Sequence, residues 1–357
     1  MRRRPLMAVF LLLATFGSAQ AIPRYSVRYG QDCRLCHQNP TGGGQRSAYA
    51  TQYLIPAEMV TFPWEEERLE AIDPQIGKNV SIGADIRTLH VVTEEGSGLD
   101  GFFQMQGEVY LSLSVDERNM LYFEQGMDRT YDLFGISYFL PWQGYVKVGR
   151  FAPAYGWRFA DHTRLVRSEL GFEPPALSDV GAEVGISPGD ATFSLSVSNG
   201  AGGSTLDNDA RPALVARAEE RFSLGPLAIS AGASALQHNG IVRRRAQTGP
   251  FAGLYWGRLS WLGEIDWVWT QAQGADEVRG LVATQEVALQ LWSGVDLVGV
   301  YDYSDRDLDL KSGKTTGYSV GVEMLPQPFM SLQALVRSWD DVGVETTQTL
   351  LQAHFMY

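Results

Sequence analysis

From about residue 79 to its end, the chain alternates apolar and polar residues in runs of roughly ten, separated by turn residues. Phe103, Met105, Gly107, Val109, Leu111, Leu113 and Val115 share one side of such a run, against Gln104, Gln106, Glu108, Ser112 and Ser114 on the other. Leu259, Trp261, Ile265, Trp267 and Trp269 do the same against Ser260, Glu264, Asp266 and Thr270. A period of two sends successive side chains to opposite faces of a strand. A wet face on nearly every strand is the pattern of a membrane barrel, apolar towards lipid and polar towards its lumen. After the first residues no apolar run is long enough for a transmembrane helix, so a membrane crossing here is made by strands.

Sixteen such runs start near Asn79, Gly101, Asn119, Tyr131, Tyr145, Asp179, Ala191, Pro212, Leu227, Gly249, Arg258, Gly280, Val295, Thr315, Phe329 and Thr346. The count is even, as in single-chain bacterial barrels. Short turns such as Pro141-Trp142-Gln143, Pro188-Gly189 and Ser293-Gly294 alternate with longer loops, among them 152–178, 200–211, 239–248 and 340–345. Only the connection at Asp128 to Thr130 breaks the long set. Leu351, Ala353, Phe355 and Tyr357 close the chain on an alternating aromatic-ended strand, which resembles the assembly signal of bacterial outer-membrane proteins. A soluble sandwich or lipocalin-like barrel is the competing reading, and sixteen strands with this ending argue against it. The expected fold is an all-β transmembrane antiparallel barrel of about sixteen strands, spanning 78–357 in the bacterial outer membrane, with both termini periplasmic.

The N-terminal portion differs. Arg2-Arg3-Arg4, the apolar stretch Leu6 to Phe16 and the small residues around Ala19-Gln20-Ala21 form a secretory signal peptide over 1–21. Residues 22–77 then carry Cys33-Arg34-Leu35-Cys36-His37. Cys-x-x-Cys-His is the covalent haem-attachment spacing: two thiols reach the two vinyl groups on a porphyrin edge, and the next residue presents an imidazole to the iron. A redox disulfide or half a zinc site are the alternatives. The chain has two cysteines, both here, so no second pair completes a zinc tetrahedron. Helices are expected over Gln45 to Leu54 and Trp64 to Ala71, making 22–77 a small α-helical monohaem cytochrome c segment. About fifty-five residues bury too little surface to wrap a porphyrin. The economical arrangement puts this segment inside the lumen or over its periplasmic mouth.

The sixth iron ligand is open. Met59 is the local option, and a Met ligand raises the potential; it reads equally as a packing residue. His162, in the longest loop, and His354, on the inward set of the last strand, are alternatives that also read as wall residues; His90 and His238 complete the histidines. The long loop carries Arg150, Arg158, Arg164 and Arg167, which suit anion selection, haem propionates, or salt bridges to wall carboxylates such as Glu108, Glu264 and Asp266. Asp305, Asp307, Asp309 and other acidic loop residues would gather cations at the mouth, or bind ions bridging lipopolysaccharide. The formal charge is −12, and −15 once Arg2, Arg3 and Arg4 leave with the signal peptide. Such a chain is a poor nucleic-acid binder. No Ser-His-Asp spacing, phosphate loop or dinucleotide fingerprint is present.

A signal peptide, one Cys33-x-x-Cys36-His37 preceded by Tyr29-Gly30, and an outer-membrane barrel together resemble the fused monohaem cytochrome–porins, some of which oxidise ferrous iron at the cell surface. The resemblance implies one haem c inside the barrel passing electrons from an extracellular donor, ferrous iron being one, to a periplasmic cytochrome or other electron carrier. Two other readings remain: a diffusion porin whose haem segment is a plug or redox gate, and a conduit exporting electrons to an external acceptor.

Overall fold

In a computed structural model of the chain, residues 23–357 are described, apart from 66–67, 69–72, 95–99, 128–130, 160, 162, 173–177, 203, 205, 208 and 311–312. The signal peptide, most of the expected helix at 64–71, the connection at Asp128 to Thr130 and His162 therefore lie outside the described residues.

Sixteen antiparallel strands close into one barrel. They are β2 (Val80–Glu94), β3 (Gly101–Ser114), β4 (Asn119–Gly126), β5 (Tyr131–Leu140), β6 (Gly144–Phe151), β7 (Asp179–Ile186), β8 (Ala191–Ser198), β9 (Ala213–Leu224), β10 (Leu227–Asn239), β11 (Arg243–Trp256), β12 (Leu259–Ala272), β13 (Val278–Trp292), β14 (Val295–Asp305), β15 (Lys314–Gln327), β16 (Met330–Asp341) and β17 (Val344–Met356). Each pairs with its sequence neighbours, and β17 returns to β2 from Thr347↔Glu94 to Met356↔Asp85. A two-residue stub, β1 (Gln75–Ile76), pairs with the start of β2.

The burial pattern inverts that of a soluble protein. On β3 and just after it, Val109, Leu111 and Val115 are 57, 42 and 58% exposed, while the inward Lys147, Glu264 and Asp266 of other strands are 0, 2 and 0% exposed. Apolar rows face outward and charged rows inward, as lipid outside and a polar lumen demand. Most strand starts fall within one or two residues of their expected positions. β11 is the exception, starting at Arg243 instead of Gly249. Arg243, Arg244 and Arg245 pair across to Ala272, Gln271 and Thr270. Strand ends that rise beyond the apolar band need no alternation, so their charged residues read as loop. The 239–248 and 340–345 loops are accordingly tight turns on tall strands, at 240–242 and 342–343.

Two elements fill the lumen. The N-terminal segment carries α1 (Pro23–Tyr29), a one-turn α2 (Cys33–Cys36) and a wide-turned α3 (Ala50–Met59). The helix expected over Gln45 to Leu54 thus starts later, with Ala48 and Tyr49 already helical ahead of α3, and the Ser47 hydroxyl accepts from the Ala50 N–H at 3.2 Å. The segment sits at the short-turn end. The Thr61 N–H donates to the Leu325 carbonyl at 2.8 Å, Trp64 Nε1 to Gln327 at 2.6 Å and Arg34 to the Gln143 carbonyl at 3.0 Å. Gly253 on β11 lets α1 approach: a Cβ there would meet Val27 at 2.5 Å.

The second element is the loop after β6, which turns inward and ends in α4 (Leu165–Leu170). Its tip docks on β10 and β12. The Tyr155 hydroxyl donates to Asp266 at 2.6 Å, the Gly156 N–H to Ser234 at 2.9 Å and the Trp157 N–H to Glu264 at 2.8 Å. Val27 of α1 joins Tyr155, Trp157, Phe159, Phe251 and Leu262 in one apolar cluster, so segment and loop pack on each other.

Charge ties both elements to the wall. Arg24 of α1 reaches Glu286 at 3.2 Å and Glu323 at 2.6 Å, and Arg164 of the loop pairs with the same Glu286. Arg337 of β16 holds Asp161 at 2.9 Å. Glu286→Leu leaves two buried guanidiniums short of their carboxylate, a loss of about 3–5 kcal/mol. In detergent, the expected result is faster protease cleavage within the N-terminal segment while the barrel still migrates as a folded, heat-modifiable band. Asp161 supplies a pH test. Burial alone would raise its carboxyl, but the Arg337 and Arg164 guanidiniums and Thr163 outweigh it and hold it well below the usual range. A depressed folded value stabilises the ionised state, so the contribution is complete above the unfolded value of about 3.9 and disappears as pH falls through the folded one. Asp161→Asn should therefore lower the melting temperature most at neutral pH, with the gap from wild type closing below about pH 4.

Candidate functional site

Three of the sequence-derived site residues come together by local geometry. Asp32 caps α2, its Oδ1 accepting the Arg34 N–H at 3.0 Å, and the His37 N–H donates back to the Cys33 carbonyl at 3.0 Å. Residues three apart share a helix face, so this single turn points Cys33 and Cys36 the same way and leaves His37 beside them. Asp32 also fastens the turn to the wall, accepting from Ser187 at 3.4 Å with Arg221 at 3.8 Å. Neither cysteine is in a disulfide. Burial, with Glu219 and Asp32 adding to it, pushes the Cys33 thiol up to about 11; burial and its neighbour push Cys36 to about 12. A dithiol-exchange centre requires thiols lowered in the other direction.

The chain then doubles back. Asn39 ties off a turn by donating to the Gly42 carbonyl at 3.2 Å, and Gly42, Gly43 and Gly44 follow at φ of 83, 77 and 64°. Three successive left-handed residues are accessible to glycine alone at low cost. Gly44 also lacks room: a Cβ would lie 2.1 Å from the Tyr122 hydroxyl. That hydroxyl accepts the Gln45 N–H at 2.9 Å, anchoring the return strand to β4. Arg46 then pairs by backbone with His37, and the Ser47 N–H donates to the Cys36 carbonyl at 2.9 Å.

Cys33, Cys36 and His37 line one lumen cavity of about 320 Å³, bounded by the N-terminal segment, the inward loop and the wall. Met59, Arg46 and His354 line it too. Met59 is buried at the end of α3 in an apolar cluster with Cys36, Tyr25, Leu54, Ile55 and the wall residue Leu325. His354 does face inward, but its Nε2 lies 2.7 Å from Asp85 and its ring 3.5 Å from Arg87. His90 packs against Phe102 with the rings tilted and their centroids 4.4 Å apart, and His238 contacts the Arg211 carbonyl; neither lines the cavity.

The four arginines expected in the long loop separate, and Arg150 is a residue of β6 and not of the loop. Arg164 is ion-paired to Glu286, Arg150 donates to the Tyr131 carbonyl at 2.9 Å and Arg167 to the Phe159 carbonyl at 2.7 Å. Arg158 bridges to the N-terminal segment, donating to the Gly42 carbonyl at 2.8 Å and the Ala152 carbonyl at 2.7 Å. The salt bridges do not use Glu264 and Asp266, because the Tyr155–Trp157 tip occupies those carboxylates. Arg24, Asp32 and Arg46 were not singled out in the sequence. Asp32 was findable as a helix cap before the Cys turn; Arg24 and Arg46 depend on contacts with strands hundreds of residues away.

Neither a protein-family model nor a curated protein matches the sequence. The fold does have counterparts among solved structures. OmpT of Vibrio cholerae aligns with a TM-score of 0.59 at 10% identity, over 80% of this chain and 100% of that one. An anion-selective porin from Comamonas acidovorans aligns at 0.58 and 10% identity, over 78% and 99%. At such identities the likeness is one of fold: this chain is an all-β, closed, sixteen-stranded antiparallel barrel of the outer-membrane porin type.

Proposed function

We propose that this chain is an outer-membrane porin-type barrel, with both termini periplasmic, whose N-terminal segment is a luminal plug carrying one covalent haem c. The observation that supports it is the meeting of Cys33, Cys36 and His37 on one cavity inside the lumen. The residues suit the group. Each thiol S–H would add across a vinyl C=C to give a thioether, His37 would be the proximal ligand, and Met59, buried against Cys36, is the distal candidate. His354 is committed to Asp85, and His162 lies outside the described residues. Bound haem supplies a one-electron ferric/ferrous couple. The chain's own contribution is burial: α1, α3, the inward loop and the wall around Leu325 exclude water that fifty residues alone could not.

The porin-type fold favours a plug or redox gate in a diffusion pore. The position of the site, inside the lumen between the two mouths, favours a second reading, electron passage between an extracellular donor or acceptor and a periplasmic carrier. Ferrous iron is one such donor, and iron oxidation one such activity.

Purified wild type should keep its haem through a denaturing gel and show a c-type pyridine haemochrome; Cys33→Ala with Cys36→Ala should lose both. Wild type without covalent haem would overturn the proposal. In planar bilayers, a steady ion conductance that changes on dithionite reduction identifies the gated pore. A sealed barrel whose haem is reduced by ferrous iron identifies the conduit. Met59→Leu conserves volume, so the packing survives; loss of a thioether ligand should lower the midpoint potential with haem content unchanged.

A further inference from the structure

The arginines around the cavity are satisfied in different ways. Arg24, Arg164 and Arg217 end on wall carboxylates, Glu286, Glu323 and Glu219. Arg158 ends on three backbone carbonyls. Arg46 has neither. It donates to the Pro328 carbonyl at 3.4 Å, a long contact, and to the Met356 thioether sulfur. A guanidinium has five N–H donors in a planar fork, and a thioether is a weak acceptor. No carboxylate of the described residues lies within ion-pair distance of Arg46; Asp85, on the adjacent wall, accepts from His354 at 2.7 Å. A half-buried cation facing a cavity with so little compensation calls for an anion.

Its placement says which. Arg46 is the backbone partner of His37, and its neighbour Ser47 bonds the Cys36 carbonyl. The guanidinium is therefore carried by the same small hairpin as the attachment residues, and it opens into the same cavity. We infer that Arg46 is an anion-binding residue of this cavity, and that the anion is a carboxylate borne by the porphyrin that Cys33 and Cys36 attach. The fork matches a carboxylate with two parallel N–H···O bonds, the geometry in which arginine outperforms lysine. Arg46 thereby positions the group and places a fixed positive charge beside it. A positive charge next to a one-electron centre favours the reduced, less positive form, so Arg46 holds the midpoint potential up.

This inference rests on the haem-bearing reading, and the test separates the two. The haem content of full-length wild type, Arg46→Gln and Arg46→Lys is measured first, by pyridine haemochrome. Spectroelectrochemical titration of the same samples follows, at several pH values. The expected result is equal haem in all three, a lower midpoint potential in Arg46→Gln with a pH dependence displaced from that of wild type, and a value nearer wild type in Arg46→Lys. Equal haem with superimposable potentials and pH profiles overturns the Arg46 assignment and leaves the haem reading standing. Absence of haem from wild type overturns both. Inorganic phosphate, added to the haem-loaded wild type, distinguishes the source of the anion. No shift in potential is expected where the porphyrin's own carboxylate is in place. A saturable phosphate-dependent shift that Arg46→Gln abolishes would show a diffusible anion there and overturn the assignment.

Discussion

Lipid offers the backbone no hydrogen-bond partner, and the rest of this structure follows from that. A sheet can cross a membrane only if every strand finds two neighbours, so β17 must return to β2. Closure sends alternate side chains inward whether or not anything is there to receive them. With sixteen strands the ring is too wide for its own side chains to fill. The charged rows on the inner faces, Glu183, Glu219, Glu264, Glu286 and Asp302 among them, then need either water or a counter-charge. The wall itself answers some of them, Lys147 pairing with Glu183 and Arg217 and Arg221 with Glu219, while Glu286 takes its counter-charges from two elements that are not part of the wall.

Glu286 shows how those elements are coupled. It accepts Arg24 from the N-terminal segment and Arg164 from the inward loop, and all three side chains are about 5% exposed. Glu286 thereby anchors both elements at one buried point of the wall. The apolar cluster joining Val27 to Tyr155, Trp157 and Phe159 adds a second, non-ionic link. Segment and loop behave as one packed body held in the barrel, and Arg158, donating to the Gly42 carbonyl, is a hydrogen bond within that body.

Most of the wall was legible in the sequence, because lipid enforces period two and nearly every strand obeys it. Legibility failed where lipid stops. β11, β16 and β17 run on past the apolar band, and there Arg243 to Arg245 and Asp340 to Glu345 carry no alternation to read. The site divides the same way. Cys33, Cys36 and His37 are contiguous, so their juxtaposition is local and the spacing shows it. Met59 and His354 lay within reach of the sequence as types, but only folding shows that one packs on Cys36 and the other is held by Asp85. The arginines were recognised as a group and could not be sorted. Their partners are set by where the Tyr155–Trp157 tip docks, a tertiary event that takes Glu264 and Asp266 out of reach and leaves Glu286 to serve two elements.

The size of the N-terminal segment then has a physical explanation. A free domain of that length would need its own core, and α1, α2 and α3 total only twenty-one residues. Here its apolar side chains are completed by the barrel: Leu325 closes the cluster around Cys36 and Met59, and Gly253 yields space to Val27. The wall is thus both membrane anchor and core for the segment. A porphyrin attached at Cys33 and Cys36 would inherit that arrangement, sheltered by strands that exist for another reason. Its environment would be tuned by whichever wall and hairpin charges face the cavity, and not by a dedicated haem-binding domain.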